Sequence, residues 1–352
     1  MQSARRKPTQ VNEKRNRRGG FKRKVIAWLR LSNDWRVKVY RSYGTPEQVT
    51  IHGHVFTLSP LPRRKHKQSW LINALAVVRL FGVRPVPGVR VRLRDFPDVQ
   101  TRTDADGFFR IDWAPAEPLP TGWNTVTVEA ATARRTLAVG EGQVLVPPST
   151  RYGCISDIDD TFLISHSATI GKRLMVLLTQ NAHSREPFAG VAEHYRLLAH
   201  AATHADAPNP FFFVSSSEWN LYDYILEFSR KNRLPEGVYL LGQLKRLTQL
   251  LKTGQGKHFS KLERIARILQ AYPSRQFVLL GDDSQEDPTI YATVVQHHRA
   301  QIRCVYLRHV STKKQHIARQ RVADMEAQGV PCCYFTHSDE AIAHSRATGL
   351  IA

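Results

Sequence analysis

Residues 153–161 read Gly153-Cys-Ile-Ser-Asp157-Ile-Asp159-Asp160-Thr161. A short apolar run that breaks into carboxylates predicts a buried strand ending in an acidic turn. In an extended backbone Asp157 and Asp159 point to one side and Ile158 to the other, into the fold. Three carboxylates within four positions repel one another unless a cation neutralises them. Oxygen-only ligands suit Mg²⁺, which takes one or two carboxylates plus waters and substrate phosphate oxygens.

Working outward, short apolar runs alternate with segments of helical period, the pattern of an α/β domain with a mainly parallel sheet. The expected strands are Gly153–Ile158, Phe211–Val214, Val238–Leu241, Phe277–Leu280, Ile302–Leu307 and Cys332–Phe335. Between them, Leu221, Ile225 and Phe228 share one helical face. Ser260-Lys-Leu-Glu263 has capping-box spacing, which predicts Ser260 as N-cap and Lys261 at the first helical position. A last clear helix is expected from Thr312 to Gln328, closed by Gly329.

Polar groups follow the strands where open α/β sheets place their ligands. Phe211-Phe-Phe-Val214 runs into Ser215-Ser216-Ser217, and Phe277–Leu280 into Gly281-Asp282-Asp283-Ser-Gln-Glu-Asp287. Hydroxyls, free amides and a lysine at a helix start can hold a phosphoryl group, and the second acidic turn can complete a metal site. Each piece alone is a common surface feature, but four in order behind their expected elements point to catalysis. Lys257 is the fallback for Lys261.

Upstream, from about residue 36 to 147, the period becomes two. Val49-Thr-Ile51, Val89-Arg-Val91-Arg-Leu93, Val126-Thr-Val128 and Val144-Leu-Val146 are separated by Gly and Pro clusters, which reads as a β-sandwich. Asp106-Gly107 between strand-like runs predicts a hairpin, since glycine tolerates positive φ. The expected organisation is therefore a basic tail over residues 1–35, a β-domain over 36–148 and an α/β domain over 149–352.

Lys and Arg number 51 against 30 Asp and Glu, a formal charge of +21, and residues 1–30 hold eleven basic side chains against the single acid Glu13. Such a tail is expected to be disordered. Its last hydrophobes, Val25, Ile26, Trp28, Leu29 and Leu31, either dock on the first domain or lie on an anionic surface. Arg63-Arg-Lys-His-Lys67 is a second basic patch or a solvated loop. The charge points to an anionic partner: nucleic acid, a phosphorylated small molecule or an anionic lipid surface. Four cysteines without CxxC spacing and no apolar run of membrane-spanning length favour a reducing compartment, the cytoplasm, with peripheral membrane attachment as the extension of the basic tail.

The order of motifs resembles the haloacid-dehalogenase-like phosphatase superfamily and, more narrowly, the actin-patch phosphatidate phosphatase family, relatives of the lipins. The matching residues are Val39-Tyr40-Arg-Ser-Tyr43-Gly44-Thr, Ser156-Asp-Ile-Asp-Asp-Thr161, Arg185-Glu-Pro187-Phe188-Ala-Gly190-Val191, Val214-Ser-Ser-Ser217 with Trp219-Asn-Leu221, Ser260-Lys261-Leu262, and Gly281-Asp-Asp-Ser-Gln-Glu-Asp-Pro288-Thr-Ile-Tyr291. They span roughly residues 36–310. At Glu218 many relatives carry proline. The β-domain looks like the transthyretin-like or carboxypeptidase-regulatory type. The resemblance implies a Rossmann-like, haloacid-dehalogenase-type parallel sheet preceded by a transthyretin-like β-sandwich.

It also implies roles. Asp157 would be the nucleophile that forms an aspartyl-phosphate, and Asp159 the acid and base. Asp157, Asp282 and the backbone carbonyl of Asp159 would hold Mg²⁺. Ser215 and Lys261 would position the phosphoryl oxygens, with Ser216 and Ser217 contributing amides or hydrogen bonds to the groups behind them, and Thr161 and Asp287 would support the site. The stretches 162–210 and 218–260 leave no room for a large lid, which suits a bulky or membrane-embedded phosphomonoester. Leu174-Met-Val-Leu-Leu178 beside Lys172 and Arg173 either packs on the sheet or dips into lipid. The leading expectation is a Mg²⁺-dependent phosphatase acting on phosphatidate or a related lipid phosphomonoester. The alternatives keep the chemistry on a nucleic-acid end or phosphoprotein, or make the chain a non-catalytic phosphatidate sensor.

Overall fold

The computed structural model describes residues 31–32, 34–60, 83–132, 135–158, 188–242 and 257–352. The basic tail up to residue 30, the 63–67 patch, Asp159, Asp160, Thr161, the 174–178 run and Arg185–Pro187 lie outside them. The first ten strands are β1 (Leu31–Ser32), β2 (Arg36–Val39), β3 (Ser42–Gly44), β4 (Val49–Pro60), β5 (Arg84–Pro85), β6 (Arg90–Leu93), β7 (Gln100–Arg102), β8 (Phe108–Trp113), β9 (Gly122–Ala131) and β10 (Thr136–Val146). They form one mixed sheet, in which β10 runs parallel to β3 and every other pairing is antiparallel. The long β4 makes this possible, since its twelve residues pair with β1, β2, β3, β5 and β8. Val39, Ile51, Val91, Phe109, Val128 and Val144 point into a common core, the inward half of the period-two pattern.

The Asp106-Gly107 turn forms, with Gly107 at φ +72°, but it is not a hairpin. β7 pairs with β6 while β8 pairs with β4, so the turn hands the chain from one part of the sheet to another. Asp104 organises it by accepting the amides of Asp106 and Phe108 at 2.8 and 2.9 Å. Local turn chemistry was read correctly; strand partnership is a long-range property that it does not fix.

The rest of the chain builds a wholly parallel six-stranded sheet from β11 (Tyr152–Ser156), β12 (Phe211–Glu218), β13 (Gly237–Gly242), β14 (Gln276–Asp282), β15 (Ile302–Arg308) and β16 (Cys332–Phe335). Its order, β13-β12-β11-β14-β15-β16, turns back at β11, so β11 and its neighbour β14 flank the switch point where such sheets bind ligands. Helices cover both faces, which is why the strands read as continuous apolar runs. Alternate residues Phe211, Phe213, Val278, Leu280 and Tyr306 pack against α1 (Val191–Ala199), α2 (Tyr222–Lys231) and α6 (Ser338–Ala347). Ile155, Phe212, Val214, Leu279 and Val305 pack against α3 (Lys257–Ala271), α4 (Asp287–His298) and α5 (Gln315–Ala327).

Three helical expectations need correction. α3 already includes Lys257, so Ser260 is inside the helix rather than its cap and Lys261 is not its first residue. α5 starts three residues later than the spacing predicts, at Gln315, although its end agrees: Gln328 is the C-cap and Gly329 follows it at φ +78°. α6 follows it, beyond the helix taken as the last clear one. No helix among the described residues is long and apolar enough to cross a membrane.

The segment around residues 39–44 ties the two sheets together. Tyr40 stacks on Trp219 with ring centroids 4.1 Å apart, and the amide of Arg41 donates to the Tyr222 hydroxyl at 2.9 Å. Tyr43 packs edge-on against Phe212, and the Tyr272 hydroxyl donates to the Gly44 carbonyl at 3.0 Å. Tyr40 thus belongs to the core on one face of the parallel sheet and Tyr43 to the core on the other.

Candidate active site

Parallel strands deliver their last residues to one end of the sheet, and the end beyond β11 and β14 collects the charge. Asp157 directly follows β11, Asp282 closes β14 and Asp287 opens α4. These three carboxylates are buried and their oxygens lie within 4.8 Å of one another. Lys261, 1% exposed, reaches the cluster from α3. Its Nζ lies 2.9 Å from Asp157 Oδ1 and donates to Asp287 Oδ1 at 2.5 Å. Burial by itself disfavours the ammonium, but Asp157 and Asp287 outweigh that and hold its pKa above the ordinary lysine range.

Lys261 pairs with two of the three carboxylates, Asp157 and Asp287, in a place shielded from water. Asp287 Oδ2 is buried with no hydrogen-bond partner among the described residues. An all-oxygen set with such an uncompensated atom fits a hard divalent cation of the Mg²⁺ type, for which these residues could serve as ligands. Gly281 makes room for the cluster, since a Cβ there would come within 2.6 Å of Asp287 Oδ2 and 2.8 Å of the Tyr291 ring.

The backbone under the site is pinned. The Asp157 amide donates to the Leu280 carbonyl at 2.8 Å, and the Tyr291 hydroxyl donates to the same carbonyl at 2.8 Å. Ser156 Oγ donates to the Asp157 carbonyl at 2.6 Å and lies 2.7 Å from the Tyr195 hydroxyl. Burial raises the Tyr195 and Tyr291 phenols well above the usual range, so both stay protonated.

Ser215 is buried in β12, beside β11, and its Oγ accepts the Ser217 amide at 2.8 Å. Ser216, half-buried, follows it at the same end of the sheet. The backbone at Glu218 has φ −75° and ψ 149°, a conformation that proline adopts without strain. Asp287, read from sequence as a supporting residue, stands within the carboxylate cluster itself. Asp159 and Thr161 lie outside the described residues.

Two features escaped the sequence reading. Arg264, one turn beyond Lys261, donates to the Leu241 carbonyl and, at 3.1 Å, to the Ser215 carbonyl. Burial lowers its pKa to about 10 despite the nearby Asp157. The i, i+3 spacing from Lys261 is the signal that could have marked it. Asp283, adjacent to the candidate ligand Asp282, is fully buried and turns the other way. It accepts His309 Nδ1 and the Tyr334 hydroxyl, each at 2.6 Å, and the amides of Val310 and Ser311 at 2.8 and 2.7 Å. Lys314 adds bonds to the Gln285 carbonyl and Glu286 at 2.9 and 2.8 Å. The loop between Asp282 and Asp287 is thereby fastened to the ends of β15 and β16.

Residues 152–309 match the catalytic domain of phosphatidate phosphatase APP1. Phosphatidate phosphatase APP1 of Saccharomyces cerevisiae is 28% identical over 158 residues, which is 44% of this chain and 25% of that protein. An uncharacterized Schizosaccharomyces pombe protein is 28% identical over 227 residues, 59% of this chain and 34% of that one. This chain therefore matches only about a quarter to a third of the length of these curated relatives. A Ruminococcus gnavus β-glucuronidase structure aligns with 86% of this chain and 54% of its own at 9% identity and a TM-score of 0.26, a likeness too slight to bear on the fold. The stretch from β11 to the end of β15, which holds Asp157, Lys261, Asp282 and Asp287, is thus the part of the chain that is similar to the phosphatidate phosphatase APP1 catalytic domain.

Proposed function

We propose that this chain is a Mg²⁺-dependent phosphoric monoester hydrolase that removes phosphate from phosphatidate, or a related lipid phosphomonoester, through an aspartyl-phosphate. The observation that carries the reading is the buried meeting of Asp157, Asp282 and Asp287 with Lys261 at the switch point of a parallel sheet. The strand order and the family match support a haloacid-dehalogenase-like catalytic domain over residues 149–352. We assign residues 36–148, whose sheet β1 joins, to a transthyretin-like domain, and within the tail expected over 1–35 we assign the basic stretch ahead of β1 to holding the protein at the cytoplasmic face of an anionic membrane.

In this mechanism Asp157 attacks phosphorus, the bond to the lipid oxygen breaks, and the Asp159 carboxyl gives its proton to the departing alkoxide. The Asp159 carboxylate then takes a proton from water, which attacks the acyl-phosphate, releases inorganic phosphate and regenerates Asp157. Lys261 Nζ, the Ser215 hydroxyl and the Ser216 amide offset charge on the phosphoryl oxygens. Asp157 and Asp282, with the Asp159 carbonyl, would hold Mg²⁺, and Asp287 would orient Lys261 and close the set. When bound, the metal screens the nucleophile from the phosphoryl oxygens it must approach.

The test is phosphate release from phosphatidate micelles with Mg²⁺, comparing the parent with Asp157→Asn. The variant should be folded and inactive; an equally active variant would remove Asp157 from the mechanism. The formal charge of +21 also suits a nucleic-acid end, so 3′- and 5′-phosphorylated oligonucleotides form the second arm, where the lipid is expected to turn over faster.

A further inference from the structure

Only four large hydrophobic side chains are exposed among the described residues, and two of them, Val310 at 37% and Ile317 at 40%, lie in one short segment after β15. No Asp or Glu occurs between Asp287 and Asp324, and residues 308–321 carry five Lys or Arg. Four of those are committed locally. Arg308 is buried over the Phe188 and Phe335 rings, Lys314 holds the loop before Asp287, Arg319 lies over the Tyr334 ring and Arg321 pairs with Asp324. Lys313 is exposed and forms no ion pair with another described residue. His316, Ile317 and Gln320 are exposed at neighbouring positions on the outward side of the first two turns of α5, and exposed Lys313 stands just ahead of that helix.

The hydrogen bonds fix where this surface stands. The amides of Val310 and Ser311 bond Asp283, and Lys314 bonds Gln285 and Glu286, so the segment is stitched to the loop that carries Asp282 and Asp287. A mixed apolar and cationic surface on such a rim matches the boundary between anionic headgroups and acyl chains, where side chains insert and lysines meet phosphate.

We propose that Val310, Lys313 and Ile317 form a docking rim by which the protein seats the mouth of its catalytic sheet on an anionic lipid surface. The inference deepens the reading of the protein as a lipid phosphatase and rests on it for the orientation it gives the substrate. Docking adds the apolar transfer of Val310 and Ile317 to the attraction of the Lys313 cation, so both kinds of residue contribute.

The experiment uses the full chain, phosphatidylcholine vesicles containing phosphatidate, and a short-chain phosphatidate kept below its micelle concentration. Val310→Thr with Ile317→Gln should weaken vesicle co-sedimentation and vesicle turnover by about tenfold. Lys313→Gln should weaken them roughly fivefold. Turnover of the monomeric substrate should stay at the parent's value for all of them. Unchanged vesicle binding and turnover in both sets of variants would overturn the proposal. So would a binding loss confined to the Lys313 variant and matched on a single-stranded oligonucleotide, since that describes a polyanion site with no lipid insertion. If the parent released no phosphate from either substrate, the hydrolase reading would fail while co-sedimentation still decided the docking.

Discussion

The two sheets handle buried charge in opposite ways. In the mixed sheet Glu129 is buried on β9, and its two oxygens are met by Arg92, Arg94 and Thr136 on neighbouring strands at 2.9 to 3.3 Å. The arginines, foremost Arg94, hold that carboxyl below its usual range, and nothing is left over. In the parallel sheet three buried carboxylates crowd together, Lys261 pairs with two of them, Asp157 and Asp287, and Asp287 keeps a buried oxygen with no described partner. A satisfied buried charge is structural; a concentrated, under-compensated one stores electrostatic energy that a cation and a phosphoryl group can release. The contrast separates scaffold from chemistry without appeal to any relative.

Four experiments would break or sharpen this contrast. The largest effect belongs to Asp157→Asn, expected to lower phosphate release by roughly 10³-fold or more with the fold intact by circular dichroism. Next comes Asp283→Asn. Its carboxylate touches none of the reacting groups but fastens the loop between Asp282 and Asp287, so the Mg²⁺ activation constant should rise about 10- to 100-fold. Tyr334→Phe, which removes one of the bonds to Asp283, should raise it less. A fall in melting temperature with an unchanged activation constant would reduce Asp283 to a purely structural role.

The third experiment is pH dependence. Burial holds His52 and His54 in the mixed sheet at about 3 and His194 in α1 at about 4, all below the ordinary 6.5. The unfolded chain therefore binds more protons than the folded one between these values. Stability from keeping these rings neutral is complete above pH 6.5 and is lost as pH falls toward 3, by up to about 1.4 kcal/mol per pH unit for each histidine. Urea midpoints measured between pH 7 and 5 should fall accordingly, and His54→Gln should flatten that slope. The smallest effect is expected for Glu129→Gln, which weakens a matched pair in the scaffold. It should cost about 1–3 kcal/mol of stability in denaturant unfolding and leave turnover unchanged.

Much of the parallel sheet was legible because each strand is buried on both faces and reads as an unbroken apolar run, as Phe211–Val214 and Phe277–Leu280 do. The carboxylates were legible because they sit directly behind those runs. Partnership was not. Asp106-Gly107 announced its turn, yet the strands it joins pair elsewhere. The reading gave Asp282 a role and Asp283 none, yet adjacent residues on an extended strand face opposite ways, so one enters the carboxylate cluster and the other bonds His309 and Tyr334. Lys261 was placed at a helix start by a capping spacing, whereas α3 begins earlier.

The sequence alone determined the alternation of elements, the acidic and hydroxyl-bearing strand ends and the strong basic balance, because periodicity and motif spacing are local properties of the chain. Only tertiary structure decided that β11 lies beside β14, that Asp287 joins Asp157 and Asp282, and that residues 39–44 grip both faces of the parallel sheet. The reason is physical: charge compensation and core packing depend on distances between residues more than a hundred positions apart, and those distances exist only once the strands have chosen their neighbours.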